Sequence, residues 1–336
     1  MSDLDKLNWQ ALIAPYTTPE VRRSIWQVIN TLVPFIALWA VMYWSLSVSY
    51  WLTLALAIPT AGFLMRAFII FHDCCHGSFF KSRRANDTLG IILGILTFTP
   101  YYHWRHEHSI HHATAGNLDK RGVGDVPVMT VAEYLAAPWW KRAGYRFLRN
   151  PLMLFTVGAP FMFLVVQRFA APRSDKREQL SVIYTDLALL ALFGGLILLL
   201  GWREVALVQL PVMVISSVAG VWLFYVQHQF EGVYWERKDN WNFARAGFEG
   251  SSFYKLPPIL QWFSGNIGFH HIHHLGPKVP NYLLPKCHYE NPALQIKPLT
   301  LWCSFKSARL HLYDEGTQRL ISFNALKRLA KQPTTH

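Results

Sequence analysis

The sequence has 336 residues, of which 52% are hydrophobic, only 15% are charged and 14 are tryptophan. That composition is too apolar and too aromatic for a water-soluble protein of this length, and it indicates a protein partly solvated by lipid. Lysine and arginine outnumber aspartate and glutamate by 32 to 20. Because no basic helix or RNA-binding motif accompanies this excess, we expect no nucleic-acid partner and a cytoplasmic face that lies on anionic lipid.

The first residues and the cysteines both favour a chain whose polar parts lie in the cytoplasm. Residues 1–30 start with the polar and acidic Ser2, Asp3 and Asp5, which predicts a cytoplasmic segment and no cleavable signal peptide. The four cysteines have neither CxxC nor disulfide-framework spacing, so we expect all of them to be reduced. They are Cys74, Cys75, Cys287 and Cys303.

Four apolar stretches have the length of about 20 residues that a helix needs to cross the hydrocarbon core. In chain order, these predicted spans are 31–48, 51–71, 183–202 and 205–226. Very short links, Ser49–Tyr50 and Arg203–Glu204, join the first two spans and the last two. Links this short predict two helical hairpins.

Two further apolar stretches are weaker candidates for spans. Leu89–Tyr102 has only about 14 residues, which favours a re-entrant or interfacial segment. Pro151–Ala171 is long enough to span, but internal prolines and flanking arginines weaken it. We predict four spans, and the sequence leaves open whether this second stretch crosses the membrane or lies at its interface.

Lysine and arginine predict the side of the membrane on which the polar segments lie. With four spans, the N-terminal, middle and C-terminal polar segments share one side. Basic residues crowd 81–84, 141–149 and 173–177 and are nearly absent from the two short links. Because cytoplasmic loops carry the excess of positive charge, we predict a multi-pass protein of the inner (cytoplasmic) membrane with these segments in the cytoplasm.

Histidine is the residue type whose distribution points to chemistry. Of the 15 histidines, all but three fall into groups at the ends of spans or in the polar segments. The motifs HDCCH, HSIHH and HHIHH place histidines three or four residues apart, so on a helix each motif presents two or three imidazoles on one face. A single histidine at a membrane interface is usually structural, and one HxxxH pair is weak evidence. Three such motifs plus a lone histidine on one side of the membrane predict a metal site.

Nine histidines fit ligand positions. That number exceeds the usual four ligands of one zinc ion and is enough for two metal ions with four or five ligands each. They are His72, His76, His108, His111, His112, His228, His270, His273 and His274. Imidazole suits zinc, copper, iron and nickel, so the ligands alone leave the metal open. We predict that His103, His106 and His271 support the ligands, because ligating imidazoles need outer partners. The remaining three, His288, His311 and His336, are expected at the surface.

Together these patterns predict an all-α integral membrane protein. Four transmembrane helices in two hairpins would carry cytoplasmic polar segments that hold a di-metal site, with the active site on the cytoplasmic side; the resemblance described next implies that these segments form a cytoplasmic helical cap. The membrane domain would cover 31–320, followed by a basic C-terminal tail, 321–336.

The three histidine motifs and their flanks resemble those of the membrane fatty acid desaturase superfamily, in particular its bacterial acyl-lipid desaturases. The similarity covers roughly 70–320 and includes FFKSRRANDTLG, GDVPVMTVAEYL, GVWLFYVQHQFEGVYWE and GNIGFHHIHHL. The resemblance implies four transmembrane helices, a cytoplasmic cap, two iron ions held by the nine histidines, and an acyl tunnel. One position departs from the acyl-CoA relatives, which have an asparagine where Phe224 stands. Gln227 and Gln229 are the nearby polar alternatives, and we predict a supporting role for Gln227.

The function implied by this resemblance is an O2-dependent desaturase that introduces a cis double bond into an acyl chain of a membrane lipid. Removing hydrogen from unactivated CH2 groups is beyond side-chain acids and bases and needs a redox metal. The chain has no GxGxxG fingerprint opening a βαβ unit and no HPGG haem motif. We therefore expect an external electron donor of the ferredoxin, flavodoxin or cytochrome b5 type, and the basic face suits an acidic one.

Two other functions remain open at this stage. A di-iron hydroxylase or ketolase acting on an alkyl, sterol or carotenoid substrate would have nearly the same ligands. A histidine-rich metal transporter is a remote alternative, because transporter ligands belong near the middle of the spans. The bond position, the carrier of the acyl chain and the oligomeric state stay undetermined, and an acyl groove could be lined by the aromatic residues Phe79, Phe80, Trp104, Trp262 and Phe263.

Overall fold

Helices make up most of the computed structural model, which describes residues 7–329. In chain order the α-helices are α1 Trp9–Ile13, α2 Val21–Ser45, α3 Tyr50–His76, α4 Arg83–Leu96, α5 Tyr101–Thr114, α6 Val131–Ala136, α7 Trp139–Leu148, α8 Ala159–Leu164, α9 Lys176–Leu200, α10 Trp202–His228, α11 Phe243–Phe248, α12 Pro258–Phe263, α13 His270–Leu275, α14 Leu284–Glu290, α15 Leu301–Ser304 and α16 Phe323–Leu329. The described part includes residues 7–30 of the predicted N-terminal segment and residues 321–329 of the basic tail, whereas 1–6 and 330–336 lie outside it.

Four helices are long and apolar enough to cross a membrane, as the sequence predicted: α2, α3, α9 and α10. Their outer faces are apolar and exposed. The side chains of Ile36 and Leu198, for example, are 64% and 89% exposed. Surfaces of this kind are stable only against lipid, because water would solvate them poorly. Helix α3 packs against α2, α10 and α4 and is therefore the central helix of the group.

These four helices are longer than the predicted spans. Helix α2 begins at Val21 rather than near residue 31, because Ile25 and Trp26 continue its apolar surface. Helix α3 continues to His76 and ends at Gly77, whose φ of +61° is the left-handed conformation that commonly terminates helices. The histidines of the first motif are therefore part of a membrane helix and do not belong to a loop after it.

Helix α9 also begins earlier than predicted, at Lys176. Asp175 accepts a hydrogen bond from the Glu178 backbone N–H, and the Glu178 side chain accepts one from the Asp175 N–H. This reciprocal capping box satisfies two backbone donors at the start of the helix.

The two weaker apolar stretches do not form straight spans. Leu89–Tyr102 contains the end of α4 and the start of α5, separated by Phe98, whose φ is +58°. Pro151–Ala171 is broken into the π-helical turn Met153–Gly158, α8 and the 3-10 turn Val166–Arg168. Together with α7 this second stretch forms a pair bent by 67°, which would raise the number of possible spans from four to five if the pair were one span.

Five short strands join the polar segments, and the all-α prediction omitted them. They are β1 Met129–Thr130, β2 Phe253–Lys255, β3 Pro298–Thr300, β4 Leu312–Asp314 and β5 Arg319–Ile321. Strand β4 pairs in parallel with β1 and antiparallel with β5, and β2 pairs in parallel with β3. Strands of two or three residues show no alternating pattern in a sequence, and their partners lie far apart in the chain, so local pattern could not reveal them.

The polar segments before α9 and after α10 share one hydrophobic core. Leu118 and Val128 from the earlier segment pack with Trp235, Tyr313 and Leu320 from the later one. The two segments therefore form a single body at the end of the four long helices.

Replacing Gly90 with alanine should destabilise the packing of α4 against α5. A Cβ atom at this position would overlap the buried ring of Tyr101, whose hydroxyl donates hydrogen bonds to Cys74 O and to Asp87 Oδ1, each at 2.9 Å. We expect Gly90→Ala to lower the free energy of unfolding by about 1–3 kcal/mol, the usual effect of overpacking, measured as a drop in melting temperature in detergent. Gly194→Ala is the matched control, because a Cβ there meets nothing within 4 Å; equal melting temperatures for both variants would contradict the prediction.

Candidate metal centre

The nine predicted ligands come from four helices that meet at one end of α3. His72 and His76 lie on the last turns of α3, and His228 is the last residue of α10. The other six are on α5 (His108, His111, His112) and on α13 (His270, His273, His274). All are buried except His76, which is partly buried.

The structure brings these nine side chains together in two groups. His72, His76, His108, His112 and His273 form the five-histidine group. The four-histidine group consists of His111, His228, His270 and His274. Within each group, one ring nitrogen from every histidine lies within 4.8 Å of the others, so each group could hold a metal ion.

Distances between ring nitrogens fit the spacing of ligands around a metal. In the five-histidine group, the Nε2 of His112 lies 3.1 Å from that of His108 and 3.0 Å from that of His273. In the other group, the Nε2 of His228 lies 3.1 Å from that of His111 and 3.0 Å from that of His270. Two imidazole nitrogens bound at right angles, about 2.1 Å from one metal ion, would be about 3.0 Å apart.

Five of the nine histidines, all on α5 and α13, are also in the protonation state that metal binding needs. Burial, followed by the mutual repulsion of the rings, holds the pKa of His108, His112 and His273 well below the usual 6.5. The same two causes lower the pKa of His270 and His274. At neutral pH these imidazoles are therefore uncharged and offer a free lone pair. The Nε2 of His76 is buried and has no hydrogen-bond partner within the described part of the chain, as expected for an atom directed at a metal position.

Three oxygen atoms outside the two histidine groups contact the Nδ1 atoms of three of the histidines. The Nδ1 of His111 lies 2.6 Å from Asp125 Oδ1, that of His228 lies 3.2 Å from Gly250 O, and that of His72 lies 3.3 Å from Asp73 Oδ1. In each case the outer contact leaves Nε2 to face the centre, as is usual for metal-binding histidines.

Asp125 is a functional residue that the ligand search in the sequence missed. Burial alone would raise its pKa, but the attraction of His111 and the hydrogen bond to it outweigh burial, and the pKa lies below its usual value. The carboxyl group is therefore ionised beside His111. The available signal was its position in GDVPVMTVAEYL, one of the segments that carry the family resemblance.

A buried chain of hydrogen bonds connects the first histidine motif to two distant segments. Asp73 Oδ2 accepts hydrogen bonds from the backbone N of Asn281 at 2.7 Å and from its Nδ2 at 2.8 Å. Asn281 Oδ1 in turn accepts one from Gln27 Nε2 at 2.8 Å. These hydrogen bonds connect the turn after α13 and the helix α2 to the histidine-bearing end of α3.

Arg149 forms a second buried hydrogen-bond network, at the end of α10 that carries His228. It is buried, and one guanidinium nitrogen donates to Tyr225 Oη and Gln229 Oε1, both at 3.1 Å, and to Leu310 O at 2.7 Å. The other nitrogen donates to Pro127 O at 3.3 Å. Arg149 thereby links the loop that carries Asp125 to the end of α10 that carries His228.

The four residues predicted to support the ligands make hydrogen bonds or close contacts with residues other than the nine histidines. The Nδ1 of His103 lies 3.4 Å from Glu178 Oε2, and the largely exposed His106 lies 3.9 Å from Glu178 Oε1. The Nε2 of His271 lies 3.1 Å from both His288 Nδ1 and Leu294 O. Gln227 Nε2 donates to Ile267 O at 3.0 Å. The supporting role of His103, His106, His271 and Gln227 therefore stays a prediction.

The expected surface position of His288 is wrong. Its side chain is buried against His271 and Phe253, because α14 packs onto α13 and places this face inside. Burial lowers the pKa of His288 to about 4. His311 is half-buried and stacks on Phe323, and His336 lies outside the described residues.

The aromatic neighbours of the centre differ in what they contact. Phe224, at the position that departs from the acyl-CoA relatives, packs its ring 5.2 Å from that of His111 and 5.6 Å from that of His228. The two nearby glutamines contact other groups: Gln227 Nε2 donates to Ile267 O at 3.0 Å, and Gln229 Oε1 accepts from Arg149 at 3.1 Å.

Of the five aromatic residues considered for an acyl groove, Trp104 touches a histidine of the centre. Its ring stacks 4.2 Å from that of His108. Trp262 and Phe263 pack on Phe63 of α3, and Phe79 packs on Phe80. An acyl groove lined by these side chains stays a prediction.

Four membrane-length helices, two of which end in histidines of the two groups, define a membrane protein with a candidate metal centre. The fatty acid desaturase family model matches residues 49–304 of the chain. A fatty acid desaturase of Bacillus subtilis (strain 168) is 49% identical over 318 residues, which are 94% of this chain and 90% of the relative. The chain therefore belongs to the fatty acid desaturase family, and it is an oxidoreductase that desaturates lipid.

Two cyanobacterial relatives are more distant. The sn-1 oleoyl-lipid 12-desaturase of Anabaena variabilis is 29% identical over 259 residues, 72% of this chain and 69% of the relative. The sn-1 acyl-lipid omega-3 desaturase (ferredoxin) of Synechocystis is 29% identical over 232 residues, 65% of this chain and 61% of the relative.

Replacing Asp125 with asparagine should weaken metal binding without unfolding the protein. A neutral amide no longer stabilises the Nδ1–H of His111, and losing such an outer partner commonly costs about 10- to 100-fold in metal affinity. We expect this loss when metal content is measured on purified protein dialysed against increasing chelator. Asp119→Asn is the control, because Asp119 pairs with Arg237 at the exposed surface. Equal metal retention in both variants would refute the role of Asp125.

Proposed function

We propose that this lipid desaturase introduces a cis double bond into an acyl chain of a membrane lipid, using O2 and one iron ion in each histidine group. The observation that carries the proposal is the pair of buried histidine groups, five and four side chains, at the ends of α3 and α10. Imidazole ligands suit iron, and nine of them are enough for two ions.

The chemistry follows from the substrate. An acyl chain loses two hydrogens from neighbouring CH2 groups, and these, with two electrons and two protons supplied from outside, reduce O2 to two water molecules. When bound, the irons supply the O2-dependent oxidation that such unactivated C–H bonds need. The chain itself holds uncharged imidazoles in place, keeps Asp125 ionised behind His111, and excludes bulk water by burying both groups.

We further propose that the four long helices form two hairpins in the inner membrane and that the polar body is a cytoplasmic cap. Helix α2 packs against α3, and α9 packs against α10. Only four residues, 46–49, separate the first pair, and Gly201 alone separates the second. In this proposal the membrane domain is 31–320, between the cytoplasmic segment 1–30 and the basic tail 321–336, and the basic segments lie on the cytoplasmic side.

The position of the histidines favours desaturation over metal transport. His76 and His228 are the last residues of their helices, whereas ligands on a transport path belong near the middle of a span. A centre at the membrane surface can meet both a lipid chain from the bilayer and an electron donor from the cytoplasm.

The electron donor is an external protein in this proposal, of the ferredoxin, flavodoxin or cytochrome b5 type. The Synechocystis relative is described as a ferredoxin enzyme, and the excess of basic residues in this chain suits an acidic donor.

The fatty-acid profile of a bacterial host tests the proposed reaction. We expect wild-type protein to produce a new unsaturated fatty acid and His273→Ala to produce none, because His273 belongs to the five-histidine group. Gas chromatography–mass spectrometry of derivatised lipids gives both the product and the bond position. His311→Ala is the matched control, since His311 stacks on Phe323 away from the centre.

An unchanged profile would overturn the desaturase proposal if the wild-type protein were metal-loaded, in the membrane and supplied with a donor. A hydroxylated or ketolated product in that experiment would instead support the hydroxylase or ketolase function.

Charge reversal at Arg83 and Arg84 should slow electron delivery by an acidic donor. These residues start α4, and Arg83 is largely exposed. We expect the double change to glutamate to lower the rate constant for reduction and to flatten its dependence on salt, because the steering attraction is removed. Arg203→Glu, in the first turn of α10 at the proposed opposite side of the membrane, is the control. A reduction rate that is insensitive both to salt and to the double change would count against this docking face.

A further inference from the structure

A mainly apolar cavity of about 520 Å³ lies between α4 and the start of α9. Ile91 and Ile95 of α4 line one wall, and Leu180 and Tyr184 of α9 line the other. Ile91 of α4 is 39% exposed, and Tyr184 of the membrane-length helix α9 is 64% exposed. The groove is therefore accessible from the bilayer.

A second, polar cavity of about 420 Å³ adjoins the first and reaches the metal centre. The two cavities share Tyr102 and Arg177 in their walls. The second is also lined by His76 and His108 of the five-histidine group. Together the two cavities lead from a mainly apolar groove between α4 and α9 to a more polar space beside His76 and His108.

Positive charge is in excess where the two cavities meet. Asp87, which lines neither cavity, pairs with Arg105 of the second wall at 3.1 Å and lies 4.0 Å from Arg177; Arg83, also outside both walls, lies 3.9 Å from it. Lys278, also in the wall of the polar cavity, donates to the backbone oxygen of His76 at 2.7 Å, and that neutral acceptor does not balance its charge.

Two acidic residues line the same wall, against four basic residues, Arg105, Lys176, Arg177 and Lys278, in the walls of the two cavities. Asp175 and Glu178 form the capping box of α9, and Glu178 also faces His103 and His106. Arg177 itself stacks over the Tyr102 ring at 3.8 Å, which holds its guanidinium at the junction of the two cavities. A planar, fixed guanidinium of this kind is suited to binding a phosphate through two hydrogen bonds.

We propose that this junction is a docking site for an intact phospholipid, whose phosphate lies at Arg105, Arg177 and Lys278 and one of whose chains lies in the α4–α9 groove. The inference rests on the proposed function and deepens it, because it makes a whole phospholipid the form in which substrate arrives. A molecule that joins a compact anion to a long apolar chain matches both cavities. An acidic protein would match the charge but would leave the apolar groove unfilled.

Binding to full-length, delipidated protein tests the phosphate contact without any turnover. Phosphatidylglycerol and a diacylglycerol with the same chains are titrated by native mass spectrometry, with no electron donor present. We expect phosphatidylglycerol to bind about tenfold more tightly, which corresponds to about 1.4 kcal/mol, and Arg177→Gln to abolish the difference. Arg83→Gln is the matched control, because Arg83 faces the same Asp87 but lines neither cavity.

A tryptophan substitution tests the groove. Ile91→Trp fills the cavity and should weaken binding of both lipids, whereas Ile92→Trp changes an exposed neighbour outside the lining and should weaken neither. Equal melting temperatures of the two variants show that the difference arises from the groove and not from misfolding.

Three outcomes would overturn the proposal. Equal binding of the two lipids by wild type would remove the phosphate site. Displacement of phosphatidylglycerol by inorganic phosphate, together with no effect of Ile91→Trp, would reduce the junction to a simple anion site. An Arg177→Gln effect confined to reduction by an acidic donor would assign the surface to that donor. Failure of desaturation with intact lipid binding would instead refute the proposed function alone.

Discussion

Nine imidazole rings are gathered in two groups with almost no exposure to water, and the rest of the structure depends on this constraint. A buried ring nitrogen without a partner costs free energy, so the protein satisfies one nitrogen from outside where it can, through Asp125, Gly250 and Asp73. The opposite nitrogens are left to the centre, where only a cation or a proton can satisfy them. Metal binding and the stability of this end of the molecule are consequently coupled.

Two buried polar networks hold the ligand-bearing helices in register. On one side Asp73 and Asn281 join the end of α3 to the turn that follows α13, with Gln27 adding α2. On the other side Arg149 joins the loop of Asp125 to the end of α10. Neither network contains a predicted metal ligand, but together they fix the end of α3 to the turn after α13 and the end of α10 to the loop of Asp125. Precision at the centre thus comes from contacts that lie outside it.

The sequence was most informative where the signal is local. Four long apolar stretches and histidines spaced three or four residues apart are local patterns, and the structure contains four long apolar helices and gathers the nine histidines into two groups. Asp125 follows His111 by fourteen residues in a loop, and no periodicity links the two. The side to which His288 faces depends on how α14 packs, and the short strands depend on partners far along the chain. These features are set by tertiary contacts, which a single sequence does not display.

Helix α3 runs without interruption for 27 residues from the membrane to the centre, a length of about 40 Å at 1.5 Å per residue. A helix that is too long or too short for its bilayer adjusts by tilting. Since His72 and His76 are on the last turns of this rod, its tilt would displace their rings relative to α5 and α13 unless the contact between Asp73 and Asn281 resisted the movement. A change in bilayer thickness would therefore alter the positions of the histidine rings through the tilt of α3. The hydrogen bonds between Asp73 and Asn281 would resist that change.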